Sequence, residues 1–369
     1  MKILHITEKP RFSGAEILIR DLAMNHIEQA DIAITSFNPT EDNFKETMQA
    51  LKSNGVKLFI PKHSLSKIER LSHLFKIFKE YQPDVIVGHS AIVSAYMRIV
   101  GVLFPKIKKV VVLHAASADY ESGDRLQKAE YILQYFTDYV VGVSDWSRDT
   151  YKNRFTKVPC KTIYNGIDLE KFTQQENIDI ATIRKNVFKA NNNDFVILQV
   201  GRVNAVKNQL LTLEAVSLLD EDIKKNILLV FVGIIEDKIY YQQILDFATK
   251  HNLIGQIKFL GARSDVNELL FASNLYVMPS ERENFSIAIL EALATGIPII
   301  YSDIHQFDFL DRYKFENTFK VALADKENFA RLITNIYEQK LKFVERDLSD
   351  FSFDNCSKQY MNLFKELVQ

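Results

Sequence analysis

The sequence predicts an α/β protein of two Rossmann-like domains, each a doubly wound parallel sheet, on three observations. Short apolar runs alternate with helix-period segments along the whole chain, as parallel βαβ units require. The alternation starts afresh near residue 195, after a polar stretch, Asp168 to Asn193, that reads as a linker. At 369 residues the chain is also long enough for two separate cores.

In the first half the runs predict strands at Lys2 to Thr7, Asp31 to Ser36, Lys57 to Ile60, Val85 to Gly88, Val110 to His114, Tyr139 to Ser144 and Cys160 to Ile163. In the second half they lie at Phe195 to Val200, Asn226 to Val232, Ile257 to Leu260, Leu275 to Met278 and Ile299 to Tyr301. Each is short and bounded by turn residues, which favours strand over buried helix. The last stretch, Phe351 to Gln369, reads as a helix with Tyr360, Leu363, Phe364 and Leu367 on one side, and sequence alone leaves its docking open.

Composition excludes several classes. A formal net charge of -1 gives no electrostatic case for nucleic acid. Two cysteines, Cys160 and Cys356, allow no disulfide framework and no CxxC zinc spacing, so a reducing, cytoplasmic setting is expected. The N-terminus does not read as a signal peptide, and no apolar run approaches a membrane span of about 18 residues. Residues 62–79 set Lys62, Lys67, Arg70, Lys76 and Lys79 against Leu65, Ile68, Leu71, Leu74, Phe75 and Phe78, and residues 104–109 add Lys106, Lys108 and Lys109. A surface helix explains the pattern; peripheral contact with anionic lipid headgroups is the other reading.

Ligands of doubly wound folds bind at the carboxyl ends of the strands. After the first run stands Phe12-Ser13-Gly14-Ala15-Glu16, where Gly14 lets backbone approach a phosphate or sugar. His89 and His114 follow later strands, with Ala115, Ala116 and Ser117 after His114. Arg202 and Lys207 share the loop after Val200 and can clamp a diphosphate. Arg263 lies in Gly261-Ala262-Arg263-Ser264-Asp265, which can present backbone groups to a base. Asp220 and Asp222 read as the solvated end of a helix, not as a metal site.

The densest signal is residues 279–298. A loop carrying Glu283 feeds an apolar helix that Asn284 or Ser286 can cap and that Gly296 and Pro298 stop. Glu291 sits inside that helix, where a carboxylate needs a partner. With Glu283 on the loop and the amides of residues 284–287 free, the stretch offers a carboxylate, an anion site and a second carboxylate. A nucleotide-sugar has the matching outline: hydroxyls at both ends and phosphates between.

Together these blocks resemble the retaining glycosyltransferases of family 4, whose two-domain fold is called GT-B. The resemblance is carried by Ser13-Gly14-Ala15-Glu16, Ile163-Tyr164-Asn165-Gly166-Ile167-Asp168, Gly201-Arg202 with Lys207, and Ser280-x-x-Glu283 followed by Glu291-Ala292-Leu293-Ala294-x-Gly296-x-Pro298. It implies two domains facing across a cleft: an acceptor-side domain 1–168 completed by a crossover helix 354–369, and a nucleotide-sugar domain 169–353. It implies further that Arg202 and Lys207 hold the donor diphosphate, Glu291 the ribose and Glu283 the sugar hydroxyls. The amides of Asn284, Phe285 and Ser286 would meet sugar and phosphate, with His114 against the transferred sugar and Gly14 near the donor. Asn284 stands where relatives commonly have glycine, and Ser302 to Asp308 lacks a glycine-rich follow-on.

The expected reaction moves a sugar from a nucleotide diphosphate, with UDP favoured over GDP, to a glycan or lipid-linked hydroxyl with retention and without metal or other cofactor. Bacterial surface polysaccharide or glycoconjugate synthesis is the family's common setting. Three rivals are a dinucleotide oxidoreductase, for which no Gly-x-Gly exists here, a phosphorylase or synthase of the same architecture, and a non-catalytic two-lobed sugar or nucleotide binder.

Overall fold

The structure is a computed structural model and describes residues 1–114, 125–173, 178–191 and 193–369. Ala115, Ala116 and Ser117 therefore lie outside the described residues. The chain divides into two compact units: residues 1–166 with 353–369, and residues 167–352.

Among the described residues the first unit holds a seven-stranded sheet in the order β3-β2-β1-β4-β5-β6-β7. Its strands are β1 (Lys2–Thr7), β2 (Asp31–Ser36), β3 (Lys57–Phe59), β4 (Val85–Gly88), β5 (Lys108–Leu113), β6 (Tyr139–Gly142) and β7 (Cys160–Thr162). Every pairing is parallel. The second unit holds a six-stranded sheet in the order β10-β9-β8-β11-β12-β13. Here β8 is Phe195–Val200, β9 Ile227–Val232, β10 Ile257–Phe259, β11 Leu275–Met278, β12 Ile299–Ser302 and β13 Thr318–Val321. These pairings are parallel too. Helices cover such sheets on both faces, so their strands are nearly continuous in Val, Ile and Leu. In both sheets the order reverses beside the first strand, at β1/β4 and at β8/β11. Those switch points are where a crevice opens at the carboxyl ends.

The predicted strands appear, with ends shifted by a residue or two; β13 was not predicted. Thr318-Phe319-Lys320-Val321 is an edge strand and only Val321 is buried, so it lacks an apolar run. The stretch Asp168 to Asn193 is not a plain linker. It contains the helix Leu169–Thr173 and helical turns at Ile180–Thr182 and Ile183–Val187. Phe172, Ile183 and Phe188 bury their side chains, and three anchors were enough to override a polar composition.

The C-terminal helix Phe353–Val368 completes the first unit, in line with the GT-B resemblance. It packs on the helix Gly14–His26, burying Cys356, Tyr360, Met361, Leu363 and Phe364. Leu367 is only half-buried. Ser357 fastens the two helices: its carbonyl oxygen lies 3.0 Å from His26 Nε2, and its hydroxyl donates to Asn25 Oδ1 at 2.6 Å. A fully buried ion pair also ties the unit together. Arg98 donates from both terminal nitrogens to Glu130, at 2.6 and 2.7 Å, and the Tyr151 hydroxyl donates to the same carboxylate at 2.6 Å.

Two charged stretches lie at the surface as helices. The basic segment becomes the helix Lys67–Tyr81, opened by a Ser66/Glu69 capping box, but its buried stripe is Leu74, Ile77, Phe78 and Tyr81, while Ile68 and Phe75 are exposed. Arg70 turns inward over the rings of Phe37 and Tyr96, at 5.1 and 5.5 Å, and Lys109 is buried, donating to the Ile107 carbonyl at 2.7 Å. Lys109 is thus buried and Arg70 half-buried. Asp220 and Asp222 are exposed at a helix terminus: Asp220 is the N-cap residue of the short helix Glu221–Lys224, and Asp222 pairs with Lys225.

Candidate functional site

In the second unit, the switch point lies between the loop after β8 and the loop after β11. The first loop is pinned from several directions. Asn204 accepts from the Lys207 amide at 3.0 Å, the Gln199 side chain donates to the Lys207 carbonyl at 2.7 Å, and the Gln209 side chain donates to the Arg202 carbonyl at 3.0 Å. Glycine is needed underneath, since a Cβ at Gly233 would stand 2.1 Å from the Gly201 carbonyl oxygen. The Lys207 stem crosses Gly201, where a Cβ would come within 3.3 Å of it. The loop after β11 is drawn over by the Glu281 amide, which donates to the Val206 carbonyl at 2.8 Å.

This brings Lys207 Nζ to 2.5 Å from Glu283 Oε1, with the two side chains 18% and 9% exposed. Removing such a pair from water is costly, so it must be held by the fold around it. Arg202 is on the same loop but 59% exposed, and it pairs with Glu236, which also accepts from Asn204 Nδ2 at 2.5 Å. Arg263 is engaged by Asp265, two residues on, through two hydrogen bonds.

Glu283 lies on the loop and Glu291 inside the helix Ile287–Thr295. The helix stops at Gly296, whose φ of 81° and whose Cβ position 2.3 Å from the Val344 carbonyl oxygen exclude a larger residue. Its start differs from expectation. Ser286 is the N-cap residue, yet its hydroxyl donates to Met278 Sδ at 3.1 Å and leaves the first-turn amides without a side-chain cap. The uncapped amides are thus those of residues 287–289, slightly beyond the predicted 284–287. Asn284 is half-buried, and the Phe285 ring joins Phe309 and Phe351 at 5.6 and 6.4 Å.

Glu291 makes no hydrogen bond or ion pair among the described residues. Burial raises its pKa to about 7, partly opposed by the positive charge of Lys171 on the adjacent helix Leu169–Thr173. Tyr276 on β11 is fully buried, and its pKa is pushed well above the ordinary value by burial and then by the charges of Glu291 and Glu283. Two carboxylates, a lysine and an uncapped helix start therefore converge at one switch point.

In the first unit, Ser13 is the N-cap residue of the helix Gly14–His26 but gives it no side-chain cap. The Thr7 hydroxyl donates to Glu16 Oε1 at 2.5 Å and the Ser13 hydroxyl donates to Oε2, so Ser13 does not cap the helix Gly14–His26. Gly14 opens that helix, and a Cβ there would meet nothing within 4 Å. In the same unit His5, His89 and His114 form a file. His5 Nδ1 lies 3.0 Å from His89 Nε2, and His89 Nδ1 lies 3.1 Å from His114 Nε2. Burial lowers the pKa of His5 to about 3, with help from His26, lowers that of His89 well below the ordinary value, and lowers that of His114 to about 4.

Sequence reasoning missed His5, Glu236 and Tyr276. His5 had a signal, a polar residue inside a run that parallel pairing buries on both faces. Glu236 and Tyr276 had none, because their significance depends on loops that meet only in the folded unit.

Two family models match the chain: "Glycosyltransferase Family 4" over residues 12–171 and "Glycosyl transferases group 1" over residues 181–346. The chain is 26% identical to the UDP-Gal:alpha-D-GlcNAc-diphosphoundecaprenol alpha-1,3-galactosyltransferase of Escherichia coli, over 99% of this chain and 93% of that protein. It is 24% identical to the capsular polysaccharide biosynthesis glycosyltransferase CapH of Staphylococcus aureus, over 99% and 98%. Among solved structures it resembles Anabaena Alr3699/HepE in complex with UDP, with a TM-score of 0.85 at 20% identity, over 99% of this chain and 100% of that one. The chain therefore has the GT-B fold and is related to the glycosyltransferases that the two models describe.

Proposed function

We propose that the protein is a retaining glycosyltransferase that moves a sugar from a UDP-sugar to a hydroxyl of a glycan or lipid-linked acceptor in bacterial surface polysaccharide synthesis. The observation that carries this reading is the convergence of Lys207, Glu283 and Glu291 at an uncapped helix start in the second unit. The relatives' names, a galactosyltransferase acting on a diphosphoundecaprenol-linked sugar and a capsular polysaccharide enzyme, support the donor and acceptor classes.

In this reading the chemical difficulty is the charge that develops on the departing diphosphate. Lys207, Arg202 and the amides of residues 287–289 meet that charge, each group typically contributing a few kcal/mol to the transition state. These groups supply the charge without a metal ion. Arg202 must first leave Glu236, and Lys207 must turn from Glu283, which then accepts from sugar hydroxyls. Glu291 accepts from the ribose hydroxyls, which relieves its burial without a partner. Asn284 borders the sugar and narrows donor choice, Gly14 admits the donor closely, and His114 faces the transferred sugar. The acceptor oxygen attacks the face the diphosphate leaves, the leaving phosphate takes the acceptor proton, and no side chain acts as nucleophile.

The chain works, on this proposal, at the cytoplasmic face of a membrane. On the first unit Ile99, Val102 and Leu103 are exposed at the end of the helix Ala91–Gly101, and Ile132 and Tyr135 are exposed on the helical segment packed beside it. Exposed Lys76, Lys79 and Lys106 belong to the same unit and suit anionic headgroups. No helix among the described residues is long and apolar enough to cross a membrane.

The test is a panel of nucleotide-sugars offered with glycan and diphosphate-lipid acceptors, reading nucleotide release and the anomeric configuration of the product by NMR. A product of inverted configuration overturns retention. Tight nucleotide binding with no transfer to any acceptor favours the non-catalytic reading.

A further inference from the structure

In the histidine file of the first unit His5 and His89 are buried and His114 is half-buried, and none of the chemistry above uses the two buried members. His5 is within β1, His89 follows β4 and His114 follows β5, so three adjacent parallel strands contribute one ring each. The backbone locks the register, since β1 sets His5 against Val87 and the His89 amide donates to the Ile6 carbonyl at 3.0 Å. The rings are neutral at pH 7, as their lowered pKa values require. A neutral imidazole has one donor and one acceptor, so both links must run in the same direction.

The direction follows from the end of the file. His5 Nε2 is buried and has no hydrogen-bond partner among the described residues. If the protons pointed from His114 towards His5, that atom would be an orphaned N–H, which is rarer in folded proteins than an under-satisfied acceptor. With the opposite direction it is a bare lone pair. His5 Nδ1–H then donates to His89 Nε2, and His89 Nδ1–H donates to His114 Nε2.

We propose that His5 and His89 are positioning residues that hold His114 as the neutral tautomer with its proton on Nδ1, so that it presents a hydrogen-bond donor to the transferred sugar. The first half of this statement concerns the file alone; the second rests on the placing of His114 against the sugar. The Nδ1–H form is the minor one for a free neutral histidine in water, so it has to be imposed by partners. Loss of a partner that orients a metal-ligating histidine typically costs roughly 10- to 100-fold, and a cost of the same order is expected for a histidine held by the same kind of hydrogen bond.

The test is nitrogen NMR of the full chain labelled with 15N-histidine, with His114 assigned by the signals lost in His114→Ala. The expected result is a protonated Nδ1 and an unprotonated Nε2 on His114. His89→Asn leaves an amide that can replace the donor to His114, and His89→Gln leaves one that reaches His5 instead. We expect His89→Asn to keep the tautomer and His89→Gln to lose it, with kcat/KM roughly 10- to 100-fold lower for His89→Gln than for His89→Asn. A wild-type His114 protonated on Nε2 overturns the proposal whatever the variants do. So does an unchanged tautomer in a folded His89→Gln. If the tautomer is as stated but His114→Ala transfers sugar at the normal rate, the file stands and the placing of His114 against the sugar falls.

Discussion

Replacing Glu291 by Gln isolates the consequence of burying an unpaired carboxyl. The group titrates near 4.5 when exposed and at about 7 in the folded protein, because burial disfavours its charged form. The folded state therefore holds a proton that the unfolded state has lost between those two values. Stability falls as pH rises from 4.5 to 7, and above 7 the penalty is constant at about 3 kcal/mol. Below 4.5 it is absent. Glu291→Gln removes this dependence and nothing else that titrates. We expect the variant to gain about 2.5 kcal/mol more, relative to the wild type, at pH 8 than at pH 5. The measurement is urea unfolding of both proteins at the two pH values without ligand, read from the second unit's transition. An equal difference at both pH values refutes the reasoning, because it would mean that Glu291 is ionised freely in the folded state. The same carboxyl links to function with the opposite sign. A ribose that pairs with the ionised form lowers its pKa, so UDP should bind the wild type more tightly at pH 8 than at pH 6 and release a proton on binding. Calorimetry in buffers of different ionisation enthalpy detects that proton, and Glu291→Gln should abolish it.

Lys207→Ala and Arg202→Ala should each lower kcat/KM by about 100-fold or more if they meet the leaving diphosphate, with circular dichroism confirming that the variants fold; near-normal turnover in both removes that assignment. Glu236→Gln should tighten UDP binding modestly, by up to about 1 kcal/mol, since an exposed pair of this kind is weak and its loss frees Arg202; weaker binding on titration would show that Glu236 helps to place the arginine. Arg98→Ala should destabilise the first unit by roughly 3–5 kcal/mol by leaving Glu130 buried and unpaired, whereas Arg98→Met with Glu130→Leu should recover most of the loss in urea titrations. Exchanging Lys76, Lys79, Lys106 and Lys108 for Gln should reduce flotation with anionic liposomes, and unchanged flotation would remove this face from the membrane.

The repeating unit of this fold is local, and the sequence by itself determined it. Val85 to Gly88 and Leu275 to Met278 read as short buried strands because turn residues bound them, and Gly296 followed by Pro298 reads as a helix stop. Glu291 was legible for the same reason, as one charge in an apolar run. What joins the units of pattern was not legible. Asp168 to Asn193 looked like a linker because three apolar anchors among polar neighbours make no periodic signal. The hydrogen bond from Thr7 to Glu16 was not legible either, because its donor comes from the strand that precedes the turn. His5, His89 and His114 are 84 and 25 residues apart along the chain, and only the parallel register of β1, β4 and β5 sets their rings end to end. The tertiary structure alone decided that Lys207 meets Glu283, 76 residues away, because the order of strands, which no local preference encodes, makes β8 and β11 neighbours at the switch point.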